Sequence, residues 1–138
     1  MNIDELLNAT QNVDKFGELS VLVKLSEKHK VEWFGGRDKF DILVDNIVRV
    51  EVKSCNRDNK WAKSKNWVGG FGRIDPTKFN ILVCTSFDKY RKNQRFFIFY
   101  HDETLEFDEA KEHGLKNLNL AEENPIIQSS EDKWEKVM

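Results

Sequence analysis

The chain is poor in the residues that build covalent or thiolate-bound scaffolds. Its 138 residues include two cysteines, Cys55 and Cys84, at no metal-binding spacing, which excludes a disulfide framework or a zinc finger. Both are read as reduced, buried thiols in a cytoplasmic setting. The three histidines, His29, His101 and His113, form no HxH or HxxxH pair and are read as structural or surface groups. No apolar run approaches membrane length and no signal-peptide pattern is visible, so a membrane-spanning or secreted chain is not expected. The Gly-rich string Val68-Gly69-Gly70-Phe71-Gly72-Arg73 lacks the Lys-Ser/Thr of a phosphate-binding loop and is read as a flexible loop tip. What remains is a 39% hydrophobic chain with ten phenylalanines, enough for a single core and one domain over 1–138, without internal repeats.

The informative spacing lies between Asp41 and Glu51-Val52-Lys53. In Phe40-Asp41-Ile42-Leu43-Val44 the apolar Phe40, Ile42 and Val44 alternate with Asp41. In the run from Ile47 to Lys53 the valines take one face, and Arg49, Glu51 and Lys53 take the other. Asp45-Asn46 between them reads as a turn. Register decides whether the acids meet. A two-residue loop would place Asp41 opposite Val50. A three-residue loop, Asp45 to Ile47, places Asp41 opposite Glu51, Ile42 opposite Val50 and Val44 opposite Val48. The pattern therefore predicts an odd loop, with Asn46 in a left-handed conformation.

Two facing carboxylates repel, and a hard cation with all-oxygen ligation relieves the repulsion, which suits magnesium, manganese or calcium better than zinc. The competing reading is an exposed hairpin with charges in water. Upstream, a helix is predicted from near Asp14 through Lys28, with Glu18, Leu22, Leu25 and His29 on one stripe. Glu18 thus shares a side with leucines and needs a partner there, unless it only favours the positive start of the helix. Lys53 beside two carboxylates is read as an electrostatic group rather than a general base.

A helix bearing Gly17-Glu18, then Asp41, then Glu51-Val52-Lys53 resembles the PD-(D/E)XK nuclease superfamily, over roughly residues 14 to 100. Within it, the archaeal Holliday junction resolvases are similar in size and motif order. Phe40 stands where the family motif has a variable proline, and Asn56 to Lys78 shows no clear period for the helix usual between the third and fourth core strands. The resemblance implies a magnesium- or manganese-dependent endonuclease that hydrolyses DNA phosphodiester bonds. In its pattern Asp41 and Glu51 bind the metal with the Val52 carbonyl, Glu18 completes the shell, and Lys53 orients or activates the attacking water. It also implies a homodimer, because paired cuts need two sites. Branched and restriction-like duplex substrates both stay open.

Charge is distributed unevenly. Residues 1–48 hold 6 basic and 9 acidic groups, residues 49–95 hold 12 and 4, and residues 96–138 hold 4 and 11. This suggests one positive face for phosphate contact. Arg57, Lys60, Trp61, Lys63, Lys65, Trp67 and Arg73 mix cations with indoles and are candidate DNA contacts. In the competing reading Trp61 and Trp67 pin a long loop to the core. Arg37 is a further candidate phosphate contact, with a solvated turn charge as its alternative.

Phe79 to Thr85 reads as a strand covered on both faces and Arg95 to Tyr100 as another, joined by the polar stretch Asp88 to Gln94. Asp108 is expected to cap a short helix ending near Gly114. Trp134, in the acidic segment from about residue 101, is expected either to dock on the domain or to meet a partner. The expected architecture is an α/β, restriction-endonuclease-like mixed sheet of four or five strands with the N-terminal helix packed on it. Two other functions compete with catalysis: a nucleic-acid-binding module with an idle site, and a small interaction protein.

Overall fold

A computed structural model describes residues 11–35, 39–57 and 66–137. Helix α1 spans Val13–Ser26, and the Asn12 side chain caps it by accepting from the Lys15 N–H at 3.0 Å. It packs through Gly17, Val21 and Leu25, an i, i+4, i+8 line of buried positions. The predicted stripe was rotated from this one. Glu18 and Leu22 flank the contact line and are half-buried, and so is His29 beyond the helix end. Gly17 lets the helix lie close to the sheet. A Cβ at this position would sit 1.7 Å from the Ser54 hydroxyl and 3.1 Å from Thr85 Cγ2. Gly17→Ala is therefore expected to destabilise the fold by about 3 kcal/mol through overpacking. Urea unfolding measures this, and pairing the change with Ser54→Gly should recover part of the loss.

The helix covers a five-stranded sheet in the order β1-β2-β3-β5-β6. Its strands are β1 Val31–Trp33, β2 Ile42–Val44, β3 Val48–Asn56, β5 Ile81–Phe87 and β6 Arg95–Tyr100. Only β3 and β5 run parallel. The hairpin between β2 and β3 has the predicted register, Ile42 opposite Val50 and Val44 opposite Val48, across the turn Asp45–Ile47. Asp45 and Asn46 both have positive φ, at 53° and 61°, and Ile47 N–H closes the turn on the Val44 carbonyl at 3.0 Å.

A parallel pair requires a crossover, and here its described residues hold no α-helix, only a 3-10 turn at Pro76–Lys78. The crossover carries β4, Trp67–Ile74, into a second sheet ordered β4-β8-β7, with β7 at Asp108–Glu109 and β8 at Lys116–Ala121. The expected loop tip at Val68–Arg73 is thus a strand. Its glycines leave room for neighbours: a Cβ on Gly70 would meet Asn119 Oδ1 at 2.9 Å, and one on Gly69 would meet the Phe71 ring at 2.9 Å. Asp108 does not cap a helix. It lies in β7 and pairs with Asn117 of β8, and the short helix α2 lies earlier, at His101–Thr104.

Two cores follow from strand alternation. Val50, Val52, Ile81 and Val83 meet α1 residues Val21 and Leu25 on one face. Leu82, Cys84, Phe97 and Phe99 meet Val68, Phe71, Leu118 and Leu120 of the second sheet on the other. Cys55 and Cys84 are both free and buried, as expected. Helix α3, Ile126–Ser130, leads to Trp134, which packs on Phe96 with ring centroids 5.3 Å apart. The acidic C-terminal segment is therefore built into the fold, and the docking alternative for Trp134 holds. Among the described residues no helix is long and apolar enough to cross a membrane.

Candidate active site

Asp41 stands one residue before β2, where the ladder with β3 ends. Its own N–H donates to the Val50 carbonyl at 3.0 Å, and its carbonyl accepts from Phe34 at 2.9 Å. Its Oδ2 then accepts from the Val52 N–H at 2.8 Å. The Asp41 side chain thus supplies the acceptor that the next rung of backbone would have given. This fixes the carboxyl against β3, beside Glu51.

The Glu51 and Glu18 carboxyls both lie within reach of the Asp41 carboxyl, close enough for its charge to act on each. Burial is the first cause raising the Glu51 carboxyl from 4.5 to about 9, reinforced by the Asp41 carboxyl beside it, while Lys53 and the Val52 N–H pull it back. Glu18 is raised to about 7, first by burial and then by the Asp41 charge. Trp33 works against that rise, its Nε1 donating to Glu18 Oε1 at 3.2 Å. Around neutral pH this cluster therefore holds protons on groups that would repel if fully ionised.

The three acids meet pairwise through Asp41. Among the described residues, no three His, Cys, Asp or Glu side chains are already arranged as a cation cage. The donor chemistry nevertheless suits a hard divalent ion: the three carboxyls offer only oxygens, burial and mutual repulsion raise two of them toward the protonated form, and a lysine flanks them. Lys53 lies two residues along β3 from Glu51, on the same side of the strand, and its charge acts on Glu51.

The other predicted residues scatter. Arg37, Lys60, Trp61, Lys63 and Lys65 lie outside the described residues. Trp67 is half-buried in β4 and packs on the core between the sheets, as its pinning reading required. Arg73 is exposed, with φ 55°, and pairs with Glu112 at 3.6 Å rather than with the carboxyl cluster. Arg57 follows the end of β3 and donates through Nη2 to the Asn93 carbonyl. Arg95, from the same basic third, is engaged internally by Glu131 and Glu122. Trp33 was missed, because no local pattern tells which acid an indole N–H will find. A groove of about 450 Å³ lies elsewhere, at the C-terminal end of α1 between Leu25, His29, Trp134 and Val137, and none of the acids of the cluster lines it.

No protein-family model matches the chain, and comparison with curated proteins finds no match. Among solved structures, the chain is similar to a bacterial homing endonuclease, I-Ssp6803I. The identity is 15%, with 93% of this chain and 91% of that chain covered and a TM-score of 0.60. The two share a mixed α/β fold.

Proposed function

We propose that this protein is a divalent-metal-dependent endonuclease of the PD-(D/E)XK type that hydrolyses DNA phosphodiester bonds. The observation that carries this reading is the meeting of Glu18 and Glu51 on Asp41 beside Lys53. The shared fold with an endonuclease supports it. Asp41, Glu51 and the Val52 carbonyl, with Glu18, would hold magnesium or manganese. Such an ion, when bound, supplies a Lewis acid and lowers the pKa of its bound water. The chain's own residues do the rest. The Val52 N–H holds Asp41 in place. Burial of Glu18 and Glu51 strengthens every charge interaction within the cluster. The Lys53 ammonium stabilises negative charge growing on the phosphoryl oxygens.

The reading covers both linear duplex and branched DNA as substrates, and cutting both strands calls for a homodimer. Cys55 and Cys84 suit a reducing, cytoplasmic setting. One observation favours a second reading, a DNA-binding module with an idle site: the acids are not already arranged as a cage.

Supercoiled plasmid separates the two. The wild type should nick it in magnesium or manganese and not in EDTA, and Glu51→Gln should leave it intact. Equal behaviour of both proteins in magnesium and manganese would remove the nuclease reading. Parallel assays on a four-way junction and a linear duplex decide the substrate, and sedimentation decides the dimer.

A further inference from the structure

The connection from Asp88 to Gln94 joins β5 to β6 and is built more firmly than a polar loop requires. Asp88 organises it by accepting from Tyr90 N and Lys92 N, each at 2.9 Å, and from Asn93 Nδ2 at 3.0 Å. Its own N–H donates to the Lys92 carbonyl at 3.0 Å, and Arg91 N–H returns to the Asp88 carbonyl at 3.0 Å. Arg91 and Asn93 have positive φ, 62° and 55°, a region asparagine enters readily but arginine only where the surroundings impose it. The Arg91 guanidinium anchors the loop, lying over Phe87 at 5.2 Å and Phe16 at 5.6 Å. Arg57 ties it to β3: its N–H donates to the Phe87 carbonyl at 2.8 Å, and its side chain bonds to the Asn93 carbonyl.

The rigid frame presents charge and an aromatic ring to solvent. Lys89 and Lys92 are exposed beside Tyr90, while the half-buried Arg57 and Arg91 belong to the frame rather than to the surface. Tyr90 is 69% exposed, with the Lys89 ammonium 5.1 Å from its ring centroid. An exposed aromatic among cations fits a phosphate backbone with an adjacent base or sugar to stack on. Holding these groups in place beforehand lowers the entropy lost on binding. The loop sits where parallel strands β3 and β5 end. Six residues of extended strand separate Glu51 from Arg57, about 20 Å at the strand rise. That span corresponds to about six base pairs of duplex.

We infer that the Asp88–Gln94 loop, with Arg57, is a DNA-backbone binding element in which Lys89 and Lys92 contact phosphates and Tyr90 stacks on the substrate. The inference rests on the reading of DNA as substrate and adds a contact surface outside the carboxyl cluster. Its test is binding of the full chain to a fluorescent duplex of about 20 base pairs in EDTA, followed by anisotropy across a salt series.

Lys89→Gln with Lys92→Gln should weaken binding at least tenfold. It should also flatten the slope of log affinity against log salt by about 1.8, the value for two lost phosphate contacts. Tyr90→Ala should weaken binding about tenfold with the slope unchanged. Lys111→Gln with Lys133→Gln, the same charge change elsewhere, should leave both quantities near wild type. An unchanged slope in the Lys89/Lys92 variant, an equal loss in the Lys111/Lys133 control, or no duplex binding by the wild type at low salt overturns the inference. A wild type that binds through this loop yet never cuts in magnesium or manganese leaves the inference standing and removes the nuclease reading instead.

Discussion

Asp41→Asn is expected to reduce magnesium-dependent plasmid nicking by about 10²–10³-fold, the scale seen when one preorganised electrostatic group is removed from an active site. The same change should leave the metal-free protein at least as stable as the wild type near pH 8. The two effects separate because Asp41 has two roles. As an acceptor for the Val52 N–H at 2.8 Å it completes the β2–β3 ladder, and an asparagine oxygen can do the same. As a charge it is a cause of the raised carboxyls at both Glu18 and Glu51, and asparagine removes that repulsion. Asp41→Ala is the contrast. It loses the acceptor as well, leaving the partly buried Val52 N–H unpaired at a cost of about 1–3 kcal/mol. Nicking assays and thermal melts of the three proteins check this. Near wild-type nicking by Asp41→Asn would remove Asp41 from the chemistry, and a marked loss of stability in that variant would mean its role is structural.

The hairpin that holds this residue was legible because parity is unforgiving. Only an odd loop puts Ile42, Val44, Val48 and Val50 on one side, and the structure has that loop. Strand β5 was legible for a related reason, since a run from Ile81 to Phe87 that is buried at every position leaves no amphipathic signature to mistake. The rotation of α1 was hidden, because its closest contact with the sheet is made by Gly17, which carries no hydrophobic signal. Strand β4 was hidden by its glycines and by a partner, β8, that lies far downstream. Arg95 could not be told from a phosphate-binding cation, because Glu131, which neutralises it, is 36 residues away. The carboxyl pair was therefore readable from short-range alternation. The Trp33 contact to Glu18 and the frame around Asp88 depended on folding that local pattern does not encode.

Without metal, the protein is expected to lose stability as pH rises from about 5 to about 9, and divalent ions should restore it most at the alkaline end. The sign follows from the carboxyls. Glu18 and Glu51 are raised in the folded state, from 4.5 to about 7 and to about 9. Between the unfolded and folded values the native state binds more protons, so stability falls as pH climbs through that window. The loss begins near 4.5 and completes first for Glu18 and then for Glu51. Asp45, Asp75 and Asp88 act oppositely. Their carboxyls are lowered by hydrogen bonds, so they destabilise the fold only on acidification below their ordinary value of 3.8. Discounted for partial solvent access, the two glutamates together are worth about 2 kcal/mol across the window. For a chain of this size that is about 5–10 °C in melting temperature. A cation bound by the cluster competes with those protons, so manganese at about 100 times its dissociation constant should return about 2.7 kcal/mol near pH 8, and much less near pH 5.5. Asp41→Asn should lose most of that gain. A metal-free melting temperature that stays level or rises toward pH 9 would contradict the proton-holding cluster. A manganese effect of equal size at both pH values would place the ion away from Glu18 and Glu51.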